Sequence, residues 1–148
     1  DQFKTYYYLF GYKGFIETQL LIPFSKWESY CDMFLKILDN FNLSSTVLSL
    51  KLFSGKSRLI SFSGEGISLT ADFPFSEKAL KAFEIMDEIN CEYGIKSNII
   101  KDRRLSSSTI AKQYQVNEFK KLLNLCKDNF YQKNNLEISQ SDLLKRII

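Results

Sequence analysis

The sequence predicts an α+β domain: a largely antiparallel sheet with helices packed on one face, followed by a C-terminal group of short helices. Three observations lead there. Residues 15–22, 46–53 and 67–73 alternate side chains with the period of two that marks a strand. Residues 25–41 and 76–93 repeat apolar side chains at three- and four-residue spacing, as amphipathic helices do. The turn residues between strands are few, which favours hairpins over long crossovers.

Taken in order, Phe15, Glu17, Gln19 and Leu21 face one way along the first strand, and Ile16, Thr18, Leu20 and Ile22 the other. Pro23 closes it, and Ser25 with Glu28 spells a capping box ahead of Trp27, Tyr30, Cys31, Phe34, Leu35, Leu38 and Phe41. In the next strand Leu48, Leu50 and Leu52 form an apolar face suited to packing under helices, opposite Val47, Ser49, Lys51 and Phe53. The turn residues Ser54, Gly55, Lys56 and Ser57 predict a hairpin into 58–62. Gly64 and Gly66 bracket a bend before the third strand, where Ile67, Leu69, Ala71 and Phe73 oppose Ser68, Thr70 and Asp72. Ser76 caps a second helix with Leu80, Phe83, Met86 and Ile89 inward, and Gly94 stops it. A short strand over 97–101 and helices around 107–114, 116–127 and 141–147 complete the chain, which reads as a single unit over 1–148.

Composition narrows the chemistry. A net charge of +3 is too small to argue for a nucleic-acid partner. No apolar run reaches the ~20 residues of a membrane span, and the first residues lack a charged start leading into an apolar stretch, so no signal peptide is expected. Cys31, Cys91 and Cys126 fit no metal spacing or disulfide framework, so reduced thiols in a cytoplasm-like compartment are expected. The chain has no histidine, which excludes a Ser-His-Asp triad within it. Each strand nonetheless carries isolated polar groups on its second face: Glu17 and Gln19, Ser49 and Lys51, then Ser68, Thr70 and Asp72. Such a face is either solvated or a ceiling over a ligand, and the apolar Val47 and Phe53 beside it favour the ligand. Lys101, Arg103 and Arg104 follow the last strand, where a cluster of cations usually marks a solvated bend. One ammonium from it is also placed to lie over the polar face.

Several segments together resemble the cap domain of decaprenylphosphoryl-ribose 2-oxidase-like flavoproteins, within the vanillyl-alcohol-oxidase-like superfamily. They are GYKGFIETQLLIP at 11–23, KLF at 51–53, ISFSGEGISLTADFP at 60–74, KDRRLSSST at 101–109 and SDLLKR at 141–146. They keep the family's order and close to its spacing over essentially the whole chain. The resemblance implies a substrate domain over FAD, which a separate N-terminal domain, absent from this chain, would hold by its pyrophosphate. It implies oxidation of a sugar hydroxyl, the 2-hydroxyl of a polyprenyl-phosphate pentose, to a keto sugar. It places Lys101 beside flavin and substrate as the principal catalytic group, Asn98 at the cofactor, and Gln19, Lys51, Phe53, Ser68 and Thr70 in the substrate pocket.

This sequence departs from the family at three of these positions. Ser68 and Thr70 stand where relatives often have Asn-x-Cys, and Asn98 where they often have tyrosine. Asp72, Pro74, Asp142 and Arg146 are expected to be structural, while Lys51, Lys101 and Arg104 are the cations available to a phosphate or developing oxyanion. The isolated chain is expected to be inactive, and the protein to be cytoplasmic or peripheral at the inner membrane. Two alternatives stand beside this expectation: an aldonolactone oxidase with the same cap, and a ferredoxin-like binding module, for RNA if Tyr6, Tyr7 and Tyr8 stack bases.

Overall fold

The computed structural model describes residues 2–126 and 146–147. Its architecture is α+β, with a four-stranded antiparallel sheet and five helices among the described residues. The strands are β1 (Phe15–Ile22), β2 (Val47–Phe53), β3 (Gly66–Pro74) and β4 (Lys96–Ser97), in spatial order β2-β3-β1-β4. The helices are α1 (Gln2–Phe10), α2 (Trp27–Asn40), α3 (Glu77–Tyr93), α4 (Ser107–Gln113) and α5 (Val116–Cys126).

Register sorts the side chains between two faces. Ile16, Leu20 and Ile22 of β1 lie opposite Phe73, Leu69 and Ile67 of β3. This face packs under α2 and α3, where Tyr30, Phe34, Ile37, Leu38, Ala79, Ala82, Phe83 and Met86 complete the main core. The Phe73 and Phe83 rings meet edge to face at 5.4 Å. Tyr30 Oη donates to Asn90 Oδ1 at 2.7 Å, joining the two helices by a bond between fully buried groups.

α3 begins and ends as the sequence predicts. Ser76 Oγ accepts from Ala79 N, and Gly94 takes a left-handed φ of 65°. α2 starts differently. Pro23 turns the chain into a 3-10 turn at Phe24–Lys26, so Lys26 occupies the N-cap and the Ser25–Glu28 capping box does not form. The helix ends at Asn40 with Phe41 as its C-cap, and Asn42 just beyond takes a left-handed φ of 48°. Leu35, expected in the apolar stripe, is 58% exposed, and Ile37 is buried in its place.

Three further expectations are corrected. Residues 58–62 form no strand, and β2 pairs with β3 instead. Segment 54–65 is a loop held by side-chain and backbone contacts. Phe62 packs edge-on against Phe53 at 5.7 Å, Leu59 O accepts from Gln115 N at 3.3 Å, and Lys96 Nζ bonds Ser57 Oγ and Ser63 O. The strand expected at 97–101 shrinks to Lys96–Ser97. Asn98 Oδ1 accepts from Ile100 N at 3.1 Å, and Asn98 O from Asp102 N at 2.9 Å, so a turn replaces the ladder. Leu48, Leu50 and Leu52 do share the helix-facing side of the sheet, but they are 54%, 51% and 79% exposed. β2 is an edge strand, and the main core draws on β1 and β3.

A second, smaller cluster lies beyond β4. Ile99, Leu105, Ile110, Tyr114, Val116 and Ile147 form it, and Ile60 of the loop packs on it. Tyr114 Oη donates to Ser97 O at 2.6 Å, and Arg146 donates to the carbonyls of Asp102 and Leu105. Arg146 thus ties the tail to the body, as expected; Asp142 lies outside the described residues. Among the described residues no helix is long and apolar enough to cross a membrane.

Candidate functional site

The side of the sheet away from α2 and α3 presents three cross-strand rows. Glu17 pairs with Asp72 and then Val47; Gln19 with Thr70 and Ser49; Leu21 with Ser68 and Lys51. Antiparallel register and a period of two bring these residues together. Toward Phe53 the face is partly roofed by loop 54–65, so Leu21 and Ser68 are buried there. Toward Glu17 and Asp72 it is more open.

The turn after β4 lays two side chains across this face. Asn98 N donates to Gln19 O at 2.8 Å, and Asn98 Nδ2 to Gln19 Oε1 at 2.6 Å. Gln19 Nε2 in turn reaches Ser68 Oγ at 3.4 Å, a long bond. This chain fixes the Gln19 amide, which is 7% exposed. Lys101 swings back over β1, with Nζ 2.8 Å from Glu17 Oε1 and its side chain 47% exposed. The sequence-predicted Gln19, Ser68, Thr70, Asn98 and Lys101 therefore gather around one stretch of sheet. Ser68 is enclosed and serves as acceptor to Gln19. Lys51 and Phe53 sit on the same face of the edge strand, Lys51 exposed and Phe53 held by Phe62.

Glu17 is the group that sequence reasoning left without a role. It faces Asp72 directly across the β1–β3 pair while holding Lys101. Burial pushes the Asp72 carboxyl above the usual carboxylate range, Glu17 pushes it further, and Lys101 opposes both. The signal was present in the alternation of β1, which put Glu17 on this face. What was missing was the turn that brings Lys101 back to it.

Arg104 is a correction. It does not join Lys51 and Lys101 as a cation available to a ligand. Its Nη1 lies 3.0 Å from Asp87 Oδ2, its Nη2 2.5 Å from Asp102 Oδ2, and its guanidinium stacks 4.7 Å over the Phe83 ring. It belongs to the helix side, lining a cavity of about 410 Å³ between α3 and α4 with Glu84, Glu88, Ser108 and Lys112. Burial pushes the Asp102 and Asp87 carboxyls up while Arg104 pulls both down, and burial prevails.

The polar face offers hydrogen-bond donors and acceptors on side chains of three strands and the turn after β4. The Lys101 ammonium has three N–H donors, and one carboxylate leaves others to spend on a ligand. The central rows carry no bulky aromatic that would block a ring from approaching Thr70 and Ser49. The aromatics of this face, Phe15 and Phe53, stand at its opposite ends, apart from the central rows where an RNA-binding sheet stacks bases. Comparison with protein-family models and with curated proteins finds no match.

Proposed function

We propose that this chain is the substrate-side cap of an FAD-dependent sugar oxidoreductase, acting on a pentose hydroxyl carried on a polyprenyl phosphate. One observation carries the proposal. The turn at 98–102 lays Asn98 on Gln19 and Lys101 on Glu17 across the helix-free face, so residues scattered over more than eighty positions meet where the resemblance calls for a flavin ceiling. The flavin, when bound, accepts the hydride. Lys101 supplies a fixed positive charge where negative charge develops, and Gln19 and Thr70 orient the sugar by hydrogen bonds. Gln19 is held rigid by Asn98 and Ser68, so little ordering is lost when it meets a hydroxyl.

Two carboxylates and one ammonium at the Glu17 end favour an uncharged hydroxyl there over a phosphate. That balance also suits a free aldonolactone, the second reading, and turnover of a lactone with none of a lipid-linked pentose would select it. The test of the flavin ceiling is Lys101→Met in the flavin-loaded protein. Flavin reduction by sugar is expected to slow about a hundredfold or more, the scale of losing a charge-stabilising donor, with little change in unfolding temperature. An unchanged reduction rate removes Lys101 from the site.

A further inference from the structure

We infer that the substrate's phosphate is taken at the far end of this face from Glu17, by Lys96 and Lys51 beside loop 54–65, an assignment that rests on the flavin reading above and extends it. Register puts Lys51, Ser68, Leu21 and Lys96 in one row across all four strands. Lys96 was not among the cations expected at the site, because the last strand was expected over 97–101. β4 begins one residue earlier and sets Lys96 opposite Leu21, on the helix-free side.

Lys96 is an ammonium without a counter-ion. Its Nζ donates to Ser57 Oγ and, at 3.2 Å, to Ser63 O, and lies 5.6 Å from the centre of the Tyr114 ring. A hydroxyl, a carbonyl and a ring face carry no formal charge, and among the described residues no carboxylate pairs with it. Burial of an uncompensated cation favours its neutral form and lowers the Lys96 pKa. An ammonium has three N–H donors, so these two bonds leave one for a ligand. The same bonds hold loop 54–65, which carries Lys56 and Arg58, both exposed, against a single carboxylate, Glu65. Lys51 stands exposed at the other end of the row, again with no ion pair among the described residues. The two cations grouped with Lys51 in the sequence are already engaged, Lys101 by Glu17 and Arg104 by Asp87 and Asp102.

Charge therefore changes sign along the face. Glu17 and Asp72 share one ammonium at one end, Gln19, Thr70 and Ser49 are uncharged in the middle, and the Lys51–Lys96 row is cationic. An anion is repelled at the first and drawn to the last. Successive rows on one face are two residues apart, roughly 6.6 Å along a strand. A pentose lying on Gln19 and Thr70, with its phosphate on the carbon next to the one oxidised, thus reaches the cationic row with the phosphate while the hydroxyl stays in the middle of the face. There the phosphate accepts charge-assisted hydrogen bonds from the two ammonium groups.

The ¹⁵N-labelled 148-residue chain, titrated with ribose 1-phosphate, reads this site without a flavin. Shift changes are expected at Lys51, Ser57, Ser63 and Lys96. Lys96→Met and Lys51→Met are each expected to weaken binding about tenfold, and Lys96→Arg to retain most of it. Lys96 also holds the loop, so Lys51→Met, which breaks no loop contact, isolates the effect of charge. Lys112→Met removes the same charge from an exposed position on α4 and should leave binding unchanged. Shift changes that are absent or centred on Glu17 and Lys101, or an equal loss in Lys112→Met, overturn the phosphate site. In the flavin-loaded protein, Lys51→Met is expected to raise KM for a short prenyl-phosphoryl ribose about tenfold more than KM for an aldonolactone, which has no phosphate. Equal rises for the two substrates overturn the assignment alone. A wild-type flavin that neither substrate reduces overturns the flavin reading, and the ribose 1-phosphate titration then still decides the phosphate site.

Discussion

Arg104 shows how one side chain exchanges a ligand role for a structural one. Its guanidinium bridges Asp87 and Asp102, and Asp102 has a side chain only 1% exposed. Removing the cation leaves the buried Asp102 carboxylate with only Arg146 as a weaker counter-charge, and breaking such a buried pair costs typically ~3–5 kcal/mol. Arg104→Ala is therefore expected to lower stability by about that amount, read as a shift in the urea unfolding midpoint, whereas Arg103→Ala, on an exposed side chain, should leave the midpoint nearly unmoved. Equal small effects for both would show that the buried bridge contributes nothing. Sequence spacing placed Lys101, Arg103 and Arg104 in one cluster and gave no means of telling which would turn inward. That sorting depends on the Asn98 turn, whose side-chain hydrogen bond to Ile100 N competes with strand pairing and is invisible to periodicity.

At the level of elements, alternation located β1, β2 and β3 to within a residue, because a half-buried strand must alternate. α3 was equally legible, since Ser76 and Gly94 each have a local physical job at a helix end. Pairing was not legible. A hairpin from β2 into 58–62 was expected on turn chemistry, yet Phe62, Leu59 and Ser57 find partners on Phe53, Gln115 and Lys96, and β2 is left to pair with β3. Pattern also could not say that the leucines of β2 stay uncovered, because an apolar face announces a wish for burial and not what supplies it. Leu50→Thr, on a half-exposed edge position, should cost under ~1 kcal/mol, while Leu69→Ala in the covered strand should cost ~2–5 kcal/mol. Urea unfolding of the two variants checks this, and a large loss at Leu50 would mean that β2 is buried in solution. At Gly66, the first residue of β3, a Cβ would lie 2.2 Å from Ile22 O, so the close approach of the two strands requires glycine.

Across the molecule, one sheet separates two kinds of surface. On one side α2 and α3 seal an apolar core. On the other, polar side chains from β1, β2, β3 and the turn after β4 share an open face. Strand parity put Gln19 and Thr70 on that face, the resemblance brought in Asn98 and Lys101, and the turn that seats those two was not legible in the pattern. Glu17 was on the same face by parity but acquired a partner only through the tertiary path of that turn. The proposed function depends on which side of the sheet meets the flavin. Titrating the ¹⁵N-labelled chain with flavin mononucleotide reports this amide by amide, even where binding is weak. The expected result is shift changes at Gln19, Thr70, Asn98 and Lys101. Changes confined to the groove between α3 and α4, at Glu84 and Lys112, would contradict it.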